Sequence, residues 1–240
     1  ALPNLQLQYA DFSLWRQRYH RVGDATATLE WWRGKLDSAP KLLELPLDRP
    51  RQPIDRAVGR SVPVRIDSAL GTATLALCTQ ERVSTLSCLL AAWAMLMMRL
   101  SGQDSVVLGQ PYSVQLEYAE LLDLIGCFAT PIPIHLSMPT QATSFSQLLR
   151  DAYAELLQAI EHANVPLFRI VEVFQAARSD THNAMFQVCG YLTRECVCLA
   201  FACGCVMLGR GCPRLLACAL CLHVAFCCLY THNAMFQVCA

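Results

Sequence analysis

The sequence lacks a charge imbalance: 19 lysines and arginines stand against 19 acidic residues in 240. No basic run or patch stands out, which argues against nucleic acid as a partner. It lacks any apolar run of the roughly 18–20 residues that a bilayer-crossing helix needs. It also lacks a basic segment followed by an apolar one at its start, so no secretory signal is visible. The first residue is Ala1 rather than Met, which suggests a piece cut from something longer. Cysteine is scarce through most of the chain: only Cys78, Cys88, Cys127 and Cys189 of the 14 lie in the first 189 residues. Sparse thiols suit a reduced, cytoplasmic setting.

The end of the chain lacks something else. Residues 190–240 hold a single acidic residue, Glu195, no lysine, and the other ten cysteines. Two apolar runs, 196–208 and 215–230, are split by "GRGCPR". The nonapeptide "THNAMFQVC" occurs at 181–189 and again at 231–239. One repeat does not make a solenoid, which needs about three or more copies, and a local duplication in the coding sequence is the expectation. The close pairs Cys196/Cys198 and Cys218/Cys221 sit in Ala/Leu/Val-rich runs with few turn signals, unlike the polar loops of structural zinc sites. No metal is therefore expected. Residues 191–240 read as an irregular or helical Cys-rich tail unrelated to what precedes it. Membrane association through residues 196–230 is the less favoured reading.

Helical and extended periodicities alternate before the tail. Tyr9, Phe12, Trp15 and Tyr19 recur every three or four residues, so 5–20 predicts an amphipathic helix with an aromatic, core-facing stripe. Residues 25–37 predict a second helix with Asp24 as N-cap. Four prolines make 38–53 an extended surface connector. Strands are expected at 61–66, 105–109, 132–136 and 184–192. Residues 81–100 predict one long, largely buried helix. Residues 144–161 form a clearly amphipathic helix with Ser144 and Gln147 as a capping box. A further helix begins near Pro166. The alternation predicts an α/β fold.

Six stretches, in order, resemble the motifs of nonribosomal peptide synthetase condensation domains. "LPNLQLQYADFSLWRQRY" resembles the YxDFAxW segment, and "LEWWRGKLDSAPKLLELPLDRPRQP" the YWxxxLxxAPxxLELPxDRPRP stretch. "RLSGQDSVVLGQP" is similar to RxSGQDDIVVGTP, and "LLDLIGCFATPIPIHL" to LIGxFVNTLVLR. "HANVPLFRIVEVF" is similar to HQDxPFExLVExL, and "RSDTHNAMFQV" to RDxSxNPxFQV. The resemblance covers about residues 2–190. It implies a chloramphenicol-acetyltransferase-like lobe, the C-terminal part of a condensation domain, over 1–190. It implies amide-bond formation between acyl groups carried as thioesters on the phosphopantetheine of partner carrier domains, with no cofactor held directly.

The family's catalytic signature, HHxxxDG, is absent: none of the six histidines is adjacent to another. The resemblance implies that this motif belongs to a preceding N-terminal lobe. The chain alone is thus expected to be inactive, and that lobe becomes an expected partner beside the carrier domains. A non-catalytic carrier-docking or split-domain module is the alternative. Matched motif positions suggest Asp11, Thr130, His162, Asn183 and Gln187 as substrate-channel residues, with no catalytic or metal-binding residue assigned. Simpler readings accompany them: Asp11 suits a helix N-terminus, His162 a helix C-terminus, and Asn183 and Gln187 strand ends. Several positions depart from the family pattern. Thr130-Pro131 replaces Asn-Thr, His135 replaces Arg, and Gln115 and Glu117 stand near the usual arginines. Leu167 and Phe168 replace Phe and Glu, and Ala184 replaces Pro.

Overall fold

A computed structural model describes residues 5–21, 25–47, 61–64, 66–138, 144–174, 185–192, 197–201 and 204–208. Six helices are described: α1 (Tyr9–Arg21), α2 (Ala25–Leu36), α3 (Ser68–Glu81), α4 (Thr85–Ser101), α5 (Phe145–Glu161) and α6 (Leu167–Phe174). Six strands, β1 (Ser61–Val64), β2 (Ser105–Ser113), β3 (Ala129–Ser137), β4 (Val188–Leu192), β5 (Val197–Phe201) and β6 (Gly204–Leu208), form one sheet in the order β1-β6-β5-β4-β2-β3. The sheet is mixed: β2 and β4 run parallel, as do β1 and β6, and the other pairs are antiparallel.

Local chemistry explains the boundaries. Ser144 caps α5 by accepting from the Gln147 amide at 3.2 Å. The reciprocal half of the expected box is diverted, because the Gln147 side-chain oxygen accepts instead from Arg150 at 3.1 Å. The helix expected at 81–100 is found as α4, starting at Thr85, and a further helix, α3, precedes it. Asp67 caps α3 through the Leu70 amide, Arg82 ends it in the left-handed region (φ 55), and Ser84 starts α4. The turn at 82–84 separates the two helices and moves the start of α4 past the expected Glu81. Helix α3 escaped sequence reading because it has no buried stripe: Cys78 is its only buried residue.

β2 and β3 also run longer than expected. Each carries proline, and Pro111 lies directly opposite Pro131 in their ladder. β3 is an edge strand, where a missing N–H is tolerated. Their antiparallel ladder, running from Ser105↔Ser137 to Ser113↔Ala129, is covered by α4 and α5. Leu108, Ile132, Ile134, Leu148 and Leu149 are wholly buried there. α2 packs on α6, bringing Trp32 and Leu36 into the same core.

Two further expectations are corrected. The connector after α2 does not simply run over the surface: Ala39 and Leu43 are buried. The reason is a pair of glutamine clamps. Gln103 donates to Leu42 O and accepts from the Glu44 amide, both at 2.9 Å, while Gln187 accepts from the Leu43 amide at 2.9 Å. The tail is neither irregular nor helical at its start, because 197–201 and 204–208 continue the sheet as a hairpin. These five-residue runs are too short for helices and long enough for strands. Asp24, Asn183, connector residues 48–53, the second tail run and Cys218/Cys221 lie outside the described residues. Among the described residues no single helix is long and apolar enough to cross a membrane.

Gly109 marks the closest approach in the sheet. A Cβ built there would lie 2.4 Å from Phe186 Cε2 and 2.5 Å from Cys189 Sγ. Gly109→Ala is expected to destabilise the fold by about 1–3 kcal/mol through overpacking. A urea midpoint equal to that of the parent would refute the contact. Gln187→Leu strands the buried Leu43 amide and should cost about 1–3 kcal/mol. Hydrogen exchange at Leu43 should quicken, and an unchanged rate would show that the clamp is not what holds the connector.

Candidate functional site

α1 lies against the irregular segment that joins β2 to β3, which holds two short 3-10 turns, Val114–Leu116 and Ala119–Leu121. A small apolar nucleus fixes the two together: Phe12, Val114, Leu121, Leu124 and Phe128. Tyr9 adds direction. Its hydroxyl donates to Cys127 O at 2.9 Å, and its ring meets Phe128 edge-on with centroids 5.2 Å apart. Gly126 makes room for that ring, since a Cβ there would come within 2.1 Å of Tyr9 Cδ2. Gln115 holds the loop in shape by donating to the carbonyls of Leu121 and Leu124, at 2.7 and 3.1 Å.

This packing leaves a cleft of about 350 Å³ lined by Leu7, Asp11, Phe12, Trp15, Tyr118, Glu120 and Leu121. Its walls are mostly apolar and aromatic; Trp15 and Tyr118 meet edge-on at 5.4 Å. The aromatic stripe of α1 is therefore not all core, as its periodicity suggests. Phe12 is buried, but Trp15 remains 44% exposed and Tyr9 37%. The apolar surface continues outward through Leu116, Leu122 and Ile125, the last 95% exposed.

Charges around the cleft are set by burial. The Arg16 guanidinium lies 6.0 Å over the Phe12 ring. Burial lowers its pKa from the ordinary value, while Tyr9, Cys127 and Glu117 pull the other way. Burial also pushes the Tyr112 phenol well up, and the hydrogen bond from its hydroxyl to Glu117 Oε1, at 2.8 Å, adds to the rise. Tyr118 is raised for the same first reason. These phenols stay protonated at neutral pH, as hydrogen-bond donors rather than bases.

Of the five residues singled out from sequence, only Asp11 lines the cleft. Its carboxylate also accepts from the Gln8 amide at 2.8 Å, so it starts α1 while facing the cavity. Thr130 is buried in β3 opposite Tyr112. Gln187 is the connector clamp described above. His162 caps α5 and packs against α2: its ring stacks on Trp31 at 3.8 Å, Nδ1 lies 2.9 Å from Gln158 O, and its carbonyl accepts from Trp32 Nε1. Asn183 lies outside the described residues. The structure thus does not gather these residues in one pocket.

His135 sits in β3 close to the Lys35–Glu155 ion pair. Desolvation lowers its pKa, and the Lys35 charge adds to this; a backbone hydrogen bond at Lys35 and the Glu155 charge act the other way. Among the described residues no histidine lines the cleft, and no cluster of three or more His, Cys, Asp or Glu could hold a metal ion. Sequence reading missed Gln115 and Gly126 as organisers of the site. A lone glycine between Ile125 and Cys127 was the available sign of a close approach; Gln115 carried none.

Comparison with known proteins agrees with this architecture. A profile described as the condensation domain matches residues 1–193. Malpibaldin synthetase of Mortierella alpina is 33% identical over 192 residues, 78% of this chain and 3% of that protein. Phosphinothricin tripeptide synthetase PhsC of Streptomyces viridochromogenes is 32% identical over 191 residues, 78% of this chain and 17% of that one. Among solved structures, the X-domain from teicoplanin biosynthesis superposes with a TM-score of 0.72 at 24% identity, covering 78% of this chain and 42% of its own. The condensation domain of the Monacolin K polyketide synthase MokA gives 0.68 at 19%, covering 79% and 46%. The chain therefore spans a small part of these synthetases and under half of the matched solved chains. With its α/β lobe, its motif order and this match along most of its length, the chain belongs to the condensation-domain family.

Proposed function

We propose that this chain forms one wall of a cleft in which an acyl group is passed from a carrier-bound thioester to an amine, and that a second lobe bearing HHxxxDG must complete it. The observation that carries the reading is the exposed apolar surface of α1 and the 114–125 segment: Trp15, which lines the cleft, and Leu116, Leu122 and Ile125 lie open, and no histidine is among the described lining residues. Large apolar side chains exposed together on two packed segments mark a surface built to be covered. The partial coverage of the matched solved chains, 42% and 46%, supports the same reading.

The chemistry defines what each side must supply. The amine nitrogen attacks the thioester carbonyl, the C–S bond breaks, and the phosphopantetheine thiol leaves. Holding the two reactants together can lower the barrier by several kcal/mol, up to about 7–11 in well-oriented systems. A positioned base for the amine proton typically adds about 10²–10⁴-fold. This chain offers apolar walls and protonated phenols; the imidazole would come from the other lobe. Substrates arrive on carrier domains, so this chain holds no cofactor of its own.

A second reading, a non-catalytic docking module, draws support from one comparison. The X-domain from teicoplanin biosynthesis, of the same fold (TM-score 0.73, 24% identity), is solved in complex with OxyB.

The two readings separate in one experiment. The purified chain is mixed with two carrier domains loaded with an acyl and an aminoacyl thioester, with and without a polypeptide carrying the HHxxxDG lobe, and amide is followed by mass spectrometry. The transfer reading expects background amide from the chain alone and at least about 10²-fold more with both lobes. Carrier binding without amide, even with both lobes present, favours the docking module. Amide formed at full rate by the chain alone contradicts the need for a second lobe.

A further inference from the structure

We propose that Cys78 and Cys88 form an oxidative modification site, a dithiol that a glutathione-type disulfide converts into an intramolecular disulfide stapling α3 to α4. The site stands apart from the cleft and does not rest on the transfer reading.

The geometry of the α3–α4 corner brings the two residues together. The helix axes turn by 106° across residues 82–84. The Ser84 carbonyl is the meeting point: the Cys88 amide donates to it at 3.1 Å, and Cys78 Sγ lies 4.0 Å from it. Cys78 is also the neighbouring group that adds to the rise in the Cys88 thiol's pKa. Both cysteines are buried, each 5% exposed.

Burial keeps this pair quiet while α3 is seated. Desolvation, and then the Cys78 neighbour, push the Cys88 thiol up to about 11. At neutral pH the thiolate, which is the reactive form, is then a trace species. Yet α3 is lightly held. Cys78 is its one buried side chain, while Leu70 and Leu75 stand open to solvent. An element with so few buried contacts opens at low cost. Opening hydrates both thiols and returns Cys88 to ordinary acidity.

The chemistry then balances. The Cys78 thiolate attacks one sulfur of oxidised glutathione, and one glutathione leaves as its thiolate. The Cys88 thiolate displaces the second glutathione from the mixed disulfide. Two protein thiols lose two electrons and two protons; one glutathione disulfide gains them and becomes two glutathione thiols. The product closes a short loop across the corner and restricts the unfolded chain. α3 changes from a loosely seated helix into a tethered one.

The sequence provides a clean assay. Trypsin cuts after Arg65, Arg82 and Arg99, so peptides 66–82 and 83–99 carry one of these cysteines each. The full native chain is equilibrated in buffers of rising oxidised-to-reduced glutathione ratio, alkylated and digested. A linked 66–82/83–99 species that separates on reduction is the expected dominant form of both peptides. Amide exchange in α3 should then slow by about tenfold. In Cys88→Ser, Cys78 should stop at the glutathione mixed disulfide. If the parent chain instead yields both peptides alkylated at every ratio, or each joined to other cysteines, the pairing is refuted. If the link forms but α3 exchanges as before, the stapling role is refuted.

Discussion

Everything in this lobe rests on the burial of one ladder, β2 against β3, beneath α4 and α5. The two strands enter the molecule as near-continuous apolar runs, and their shared face is closed by Leu148, Leu149 and the buried side of α4. The ladder does more than build a core. Its far end, Ser113↔Ala129, fixes the span that the 114–128 segment must bridge. That segment in turn receives α1 through Phe12, Tyr9 and Phe128. The cleft is thus an outgrowth of the ladder's end, shaped by how the chain returns from β2 to β3. Side-chain hydrogen bonds from Gln115 to loop carbonyls finish the job that regular structure cannot do there.

Much of this was legible in the sequence where one signal acts alone. α5 shows a pure helical period with a serine cap, and its bounds follow from those features. Signals failed where two requirements compete. The run 81–100 is one helix, as its composition reads, but a left-handed Arg82 and a capping Ser84 delay its start to Thr85. α3 lacks a buried stripe and so has no period to detect. The ends of β2 and β3 were hidden by prolines: β3 is an edge strand, and Pro111 of β2 lies past its Gly109↔Cys189 pairing with β4. The aromatic stripe of α1 kept its spacing, but spacing cannot say whether Trp15 packs inward or waits for another surface.

The site was less legible than the fold, for a physical reason. Motif resemblance locates residues along the chain, whereas function depends on which of them converge. Asp11 reaches the cleft because it starts the helix that forms one wall. Gln187 and His162 serve as fasteners, one for the connector and one for the α2–α5 seam, and both roles need the polar groups that made them candidates. Of the departures from the family pattern, Gln115, Glu117, Thr130-Pro131 and His135 fall on β3 and the β2–β3 segment, and Leu167 and Phe168 on α6. Near the positions where the resemblance implies arginines, Gln115 donates to loop carbonyls and Glu117 accepts from a tyrosine hydroxyl, so this wall is organised by local hydrogen bonds and apolar packing.

An apolar surface organised with this much care, and left open, is the core of the functional account. The most direct test is hydrogen exchange across residues 7–15 and 116–125, with and without a saturating polypeptide that carries the HHxxxDG lobe. The account predicts protection of both segments by about tenfold or more, with little change in α3 or α5. Saturable association that leaves both segments exchanging at their free rates, or no association at all, would contradict it.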